Sequence, residues 1–419
     1  MKTVVAAADA SALSVLEEPR VAQLDGSSVF LAWSIAIILG LLPVWIQERL
    51  PKESRSVDFV YFYAVSQIVH NLRAESIYDH EILAAACQKI VPLRDEKSSY
   101  GPFQYPPITA LLLEPGAKVP FWESFRIEQA ISFVLYAAGI IILLRTFFPS
   151  QPLISCVFLP FACAYLPWVS NTFLNGQLSA FGFFSIALAL ALRESKRLFS
   201  SGLALSLCLY KPTLLLLLVP MLLLRRQFRV LAGVAGGGSV LIASTTAAFG
   251  WHVWAAYVRF LGSAGSIVQL RQLRGYVDLT AFVSLLAGTR AGMPIAAICT
   301  LAGLTVLIGA WLRNRDNERL AWASAITSTL FLGPYVPLYD TILIIPSLIA
   351  SGEYLHCSGK SALPALLLLG FVSAWLSAAL ASTIHFQLLT LVIVAVSWLQ
   401  VRQAGDRRGS PPFGSSEWA

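Results

Sequence analysis

The chain has 419 residues, of which 57% are apolar and only 13% charged, about half the charged share of a soluble chain. Too little polar surface remains to cover a water-soluble globule. Composition therefore excludes a soluble enzyme, a secreted disulfide scaffold and a disordered protein, and predicts a polytopic membrane protein. In such a chain the net charge of +7 reads as arginines anchoring cytoplasmic loops, not as a nucleic-acid surface. The six cysteines show no C-x-x-C spacing and no histidine at ligand spacing, which argues against a zinc site or a disulfide framework.

A polar tail, 1–28, carries Glu17, Glu18 and Asp25 and reads as disordered and cytoplasmic. The apolar run 29–46 follows it. The tail is no basic leader and no small-x-small cleavage site follows the run, so the reading is an uncleaved first span. Further apolar runs are 127–144, 153–169, 178–192, 230–249, 294–312, 320–332, 341–349, 362–380 and 385–401. The shorter ones must borrow flanking residues to cross a bilayer. The run 203–224 holds Lys211-Pro212 at its middle, with Arg193, Lys196 and Arg197 before it and Arg225, Arg226 and Arg229 after it. If both basic clusters are cytoplasmic, 198–227 is a re-entrant hairpin broken at Lys211-Pro212, since proline removes a helical donor and restricts its predecessor. A single kinked span would leave one cluster outside.

The same rule puts both termini, Arg145, Arg313, Arg315, Arg319 and the disordered tail 402–419 in the cytoplasm. Segments 47–126, 170–177, 250 to about 292, and 333–340 then lie outside. The predicted fold is an all-α membrane domain over 29–401, a bundle of about 10–12 transmembrane or re-entrant helices with a long external first loop. No internal repeat is evident, which weighs against a repeat-built transporter.

The external segment opens RSVDFVYFYAVSQIVHNLRAESIYDHE. Val60, Ala64, Ile68 and Leu72 recur at helical spacing, which predicts a helix lying on the membrane face. Asp58 stands before it, either as a cap or as a catalytic carboxylate. The prolines of YGPFQYPPITALLLEPGAKVP frame an apolar helix too short to cross.

This arrangement resembles the first external loop of the GT-C membrane glycosyltransferases, and the order of motifs is similar to that of glycosyltransferase family 87. The residues carrying the resemblance are Asp58 with Phe62-Tyr63 and Tyr78-Asp79, then Tyr105-Pro106-Pro107 and Asn175-Gly176-Gln177. Lys211-Pro212 and Pro334 with Tyr339-Asp340 complete it. In the external loop before a late span, Asp278-Leu279-Thr280 stands where members often carry an Asn-Gln-Ser-like element. That departure bears on donor sugar or acceptor.

The resemblance implies an inverting transferase that moves a hexose, mannose being the best-known family donor, from a polyprenyl-phosphate sugar to a lipid-linked or glycolipid acceptor. The site would lie on the external face of the cell membrane, in contact with membrane lipid and with no cofactor; no divalent metal is expected, because the external carboxylates form no spaced acidic cluster beyond Asp95-Glu96. Phosphate departs without a proton, so one base and phosphate-stabilising cations suffice. Asp58 is the implied base. Lys211 is the main candidate for the phosphate, with Arg274 behind it and Arg259 and Arg271 as further candidates; otherwise Lys211 satisfies carbonyls at the break. Tyr63, Tyr78, Tyr105, Asn175, Gln177, His252 and Asp340 are candidate substrate-binding residues. Each has a plainer reading: Asn175 and Gln177 could cap the next span, His252 could belong to an aromatic belt with Trp251, Trp254 and Tyr257, and Asp340 could pair with Lys211. His70 and His80 are weaker candidate bases. Asp95-Glu96, between Arg94 and Lys97, reads as a solvated turn. The competing classes are a transporter or flippase of lipid-linked sugars and a non-catalytic scaffold.

Overall fold

A computed structural model describes residues 26–50, 58–71, 73–92, 100–149, 152–263, 273–313, 316–357 and 360–405. Asp95, Glu96, Arg271 and most of both predicted tails lie outside them. The described chain is all-α apart from a two-residue hairpin, β1 His356–Cys357 with β2 Lys360–Ser361. The helices run α1 Gly26–Arg49, α2 Phe59–Asn71, α3 His80–Ile90, α4 Pro107–Leu113, α5 Phe121–Phe147, α6 Pro152–Cys163, α7 Ser179–Glu194 and α8 Leu198–Ser206. They continue as α9 Leu218–Leu224, α10 Phe228–Phe249, α11 His252–Ser263, α12 Leu279–Arg313, α13 Glu318–Leu332, α14 Ile344–Ser351, α15 Leu363–Thr383 and α16 Leu388–Gly405. Among the described residues, α5, α10, α12 and α15 are long and apolar enough to cross a bilayer, and the protein is a polytopic all-α membrane protein.

In the first loop the helical spacing of Val60, Ala64 and Ile68 does form a helix, α2; Leu72 lies outside the described residues. Phe59, Val60, Phe62, Ala64, Val65, Ser66 and Ile68 are buried, so α2 packs into the protein on more than one side. Pro106 and Pro107 start α4, whose seven residues are far short of a crossing. Proline at the first helical position costs nothing there, because that N–H has no partner inside the helix.

The segment 198–224 doubles back. Beside Glu318 at the start of α13, Arg193 Nη2 donates to Glu318 Oε2 at 2.5 Å. One turn further on, the Arg193 guanidinium lies over Trp322, whose Nε1 donates to Gln227 Oε1 at 3.1 Å. The two flanks of the segment therefore meet at one end of the bundle. Its midpoint, Lys211, leaves the helical region with φ −143° and ψ 81°, and Thr109 Oγ1 on α4 donates to the Tyr210 carbonyl at 2.9 Å. α8 and α10 run side by side in the same direction, from Gly202 against Val230 and Gly233 to Leu209 against Gly238. The basic clusters before α8 and before α10 thus share a level, termed the basic end below. Arg319 joins them there, bonded to Glu194 and Glu353 and lying over Phe147.

Two segments expected outside the membrane carry helical structure that the sequence reading does not specify. Pro167–Leu174 is a π-helix, followed by a 119° bend into α7. Gly176 makes the bend with φ +71°, and a Cβ there would lie 2.8 Å from both Phe59 and Phe125. Within the stretch from Gly250 to about Gly292, a helix begins at Leu279, ahead of the apolar run 294–312. Asp278 starts that helix, its Oδ1 accepting from Ala281 N at 2.9 Å, and the helix is interrupted at Gly288 with φ +75°. The hydropathy run began later because the segment between holds Thr280, Ser284, Thr289 and Arg290.

Candidate active site

At the end of the bundle opposite the basic clusters, three segments converge on Asp58. The Phe59 N–H donates to the Asn175 carbonyl at 2.9 Å, which ties the start of α2 to the bend. Gln177, 6% exposed, donates from Nε2 to Asp58 Oδ2 at 2.8 Å. The Tyr105 hydroxyl donates to the other end of the same amide, Gln177 Oε1, at 3.4 Å. The amide's orientation is thereby set on both sides, with its N–H toward the carboxylate. Burial pushes the Asp58 carboxyl above its usual value, and the Gln177 hydrogen bond offsets part of that rise. A carboxylate raised in this way is a better proton acceptor than a solvated one.

Tyr105 links Asp58 to a charged pair, Lys211 and Asp340. Lys211 Nζ lies 5.8 Å from the centre of the Tyr105 ring and 4.6 Å from that of Tyr339. It donates to Asp340 Oδ2 at 2.6 Å, and Ser179 donates to Asp340 Oδ1 at 3.2 Å. Both members of the pair are nearly excluded from solvent, Lys211 at 7% and Asp340 at 2%. Of the two readings open for Asp340, pairing with Lys211 is what the structure adopts. The break at Lys211-Pro212 brings the lysine to this level, and Pro337 starts the 3-10 turn Leu338–Leu343 that carries Asp340.

The structure gathers Asp58, Tyr105, Gln177, Lys211 and Asp340 into one connected cluster. Other candidates stand around it in supporting positions. Tyr78 donates its hydroxyl to the Tyr105 carbonyl at 2.9 Å while its ring stacks on Phe260. Tyr63 donates to the Val119 carbonyl at 2.9 Å, and Asn175 serves through its backbone. Arg274 sits exposed on the turn Leu273–Gly275, two residues before Tyr276. His252 is apart, in a groove with Arg73 and Glu75. His70 is held by Glu114 at 3.0 Å.

Residues that sequence reading passed over also build the site. The hydroxyls of Tyr276 and Tyr335 bond at 2.7 Å, and the Tyr61 hydroxyl accepts from Gly101 N at 2.8 Å. Their signal was the concentration of tyrosines in polar connections, which has no fixed spacing to read. Asp278, at the point of departure from the motif pattern, is fully buried, and its Oδ2 accepts from Val336 N at 3.2 Å. It fastens the start of α12 to the segment leading to Tyr339. Among the described residues no three His, Cys, Asp or Glu side chains converge as a metal site.

The fold is a polytopic helical bundle with a partly desolvated carboxylate, Asp58, at the end away from the basic clusters. The family model of glycosyltransferase family 87 matches residues 103–335, more than half of the chain, and the chain belongs to that family. It is a membrane glycosyltransferase, and the transporter and scaffold readings give way. No curated protein and no solved structure matches the chain. Asp58 and Asp340 fall on either side of the matched residues, and the fold joins both to Gln177 and Lys211 within them.

Proposed function

We propose that the chain transfers a hexose, mannose by family resemblance, from a polyprenyl-phosphate sugar to a hydroxyl of a lipid-linked or glycolipid acceptor, with inversion. The observation that carries this reading is the Asp58 carboxylate, raised by burial and aimed by Gln177. Asp58 takes the acceptor hydroxyl's proton as that oxygen attacks the anomeric carbon, and the bond from that carbon to the phosphate oxygen breaks. The leaving phosphate departs as an anion and needs no acid. Lys211 keeps Asp340 as counterion and offers its remaining N–H groups toward the phosphate, while Arg274 supplies a more exposed positive charge. The basic end lies in the cytoplasm by the positive-inside rule, which puts the re-entrant tip of 198–227 and the site toward the external face of the cell membrane.

The experiment is single-turnover transfer from a polyprenyl-phosphate sugar, with donor affinity measured separately. Asp58→Asn is expected to slow transfer by about 100- to 10,000-fold with donor binding retained. Lys211→Ala is expected to weaken donor binding and slow transfer together. Loss of donor binding in Asp58→Asn, with both quantities unchanged in Lys211→Ala, would overturn these roles. Mass spectrometry of membrane glycolipids with and without the protein identifies sugar and acceptor.

A further inference from the structure

A groove of about 380 Å³ opens between the C-terminal end of α2 and the turn from α10 to α11, with Arg73, Glu75 and His252 on its polar side and Val69, Ala248 and Phe249 on its apolar side. Its volume falls at the low end of the range for small-molecule sites. Val69 lies eleven residues beyond Asp58, roughly 16 Å at 1.5 Å per helical residue, so the groove is separate from the carboxylate cluster. It stands where α10 ends: Gly250 turns the chain with φ +77°, Trp251 is 63% exposed, and Trp254 Nε1 donates to Thr246 Oγ1 at 3.0 Å. Exposed tryptophans at the end of a spanning helix mark the headgroup level of a bilayer.

The polar lining carries both signs of charge. Arg73 and Glu75 are two residues apart on one turn, do not pair with each other, and make no side-chain hydrogen bond or ion pair with another described residue. A ligand bearing one charge would satisfy one of them and oppose the other. A ligand bearing both satisfies each. Among the described residues of the lining, Phe249 is the lone Phe, Tyr or Trp ring, whereas a quaternary ammonium is held by several such rings. A primary ammonium instead donates hydrogen bonds to a carboxylate.

We propose that this groove binds the headgroup of a phosphoethanolamine-type phospholipid, its phosphate on Arg73 and His252 and its ammonium on Glu75. The acyl chains run down the bilayer-facing side of α10, where Ile242 and Val240 are exposed.

The test is native mass spectrometry of the purified full chain with equimolar phosphatidylethanolamine, phosphatidylcholine and phosphatidylglycerol of matched acyl chains. The wild type is expected to retain phosphatidylethanolamine about tenfold over either competitor, the scale of one charge-assisted hydrogen bond. Glu75→Gln is expected to erase the preference over phosphatidylcholine, Arg73→Ala to reduce retention of all three lipids, and Arg73→Lys to keep part of it. Both side chains reach solvent, so the fold does not depend on them. Equal or stronger retention of phosphatidylglycerol or phosphatidylcholine by the wild type would overturn the proposal, as would a preference untouched by both Glu75→Gln and Arg73→Ala. The readout is lipid binding alone, so it stands or falls independently of the transfer chemistry.

Discussion

Asp58 and Gln177 show how one hydrogen bond sets a proton acceptor. The base must be ionised to act, so transfer is expected to fall as pH drops through the Asp58 pKa, at a higher pH than for a solvated aspartate. The Gln177 N–H favours the ionised form, so Gln177→Ala is expected to move this acid limb to higher pH, and a profile of kcat/KM against pH checks it. A purely structural amide would leave the limb in place. Stability runs the other way. A carboxyl raised by folding contributes stability below its unfolded pKa, and that stability is lost as pH rises through the folded value. At neutral pH Asp58→Asn should therefore be at least as thermostable as the wild type while inactive, a pairing that thermal unfolding in detergent and a transfer assay test together.

The Lys211–Asp340 pair carries the opposite stability sign. Removing one partner of a desolvated ion pair strands the other and costs about 3–5 kcal/mol. Lys211→Met and Asp340→Leu should each lower the melting temperature, and the double variant should recover most of the loss without recovering transfer.

At the scale of elements, the parallel contact of α8 with α10 holds the doubled-back segment in place. A Cβ on Gly202 would overlap the Val230 carbonyl oxygen, and one on Gly233 would overlap that of Phe199. Neither clash can be relieved by a rotamer, because backbone is the obstacle. Gly202→Val should separate the helices and destabilise by at least the 1–3 kcal/mol or so typical of overpacking. Gly236→Ala, which meets the tip of the Phe199 ring at 3.7 Å, should be tolerated. Thermal unfolding of both variants makes the comparison. If Gly202→Val also displaces Lys211, donor affinity should fall with it.

For the whole molecule, the flanks of 198–224 meet at Arg193, Trp322 and Gln227, which supports the proposed re-entrant path. Cysteines introduced at the exposed positions Ser195 and Arg229 should label from the same face of sealed vesicles. Labelling from opposite faces would contradict it. Hydropathy and charge made the membrane class, the order of apolar runs and the break at Lys211-Pro212 legible, because each depends on residues near one another in the chain. Helix α2 and the start of α4 were legible for the same reason, through the periodicity of Val60, Ala64 and Ile68 and the prolines at 106 and 107. The start of α12 was not, since Asp278 begins a helix whose first turns are too polar for a hydropathy run.

What the sequence by itself determined was the kind of molecule, the ends at which its charges gather, and the residue types available for chemistry. Tertiary structure alone decided which of them act together. Gln177 reaches Asp58 across 119 positions and Lys211 reaches Asp340 across 129, whereas His252 turns to a separate groove beside Arg73. Spacing along the chain carries no information about such partners. They are chosen by how the bundle packs, since a charge withdrawn from water must find its counterpart wherever the neighbouring helices place it.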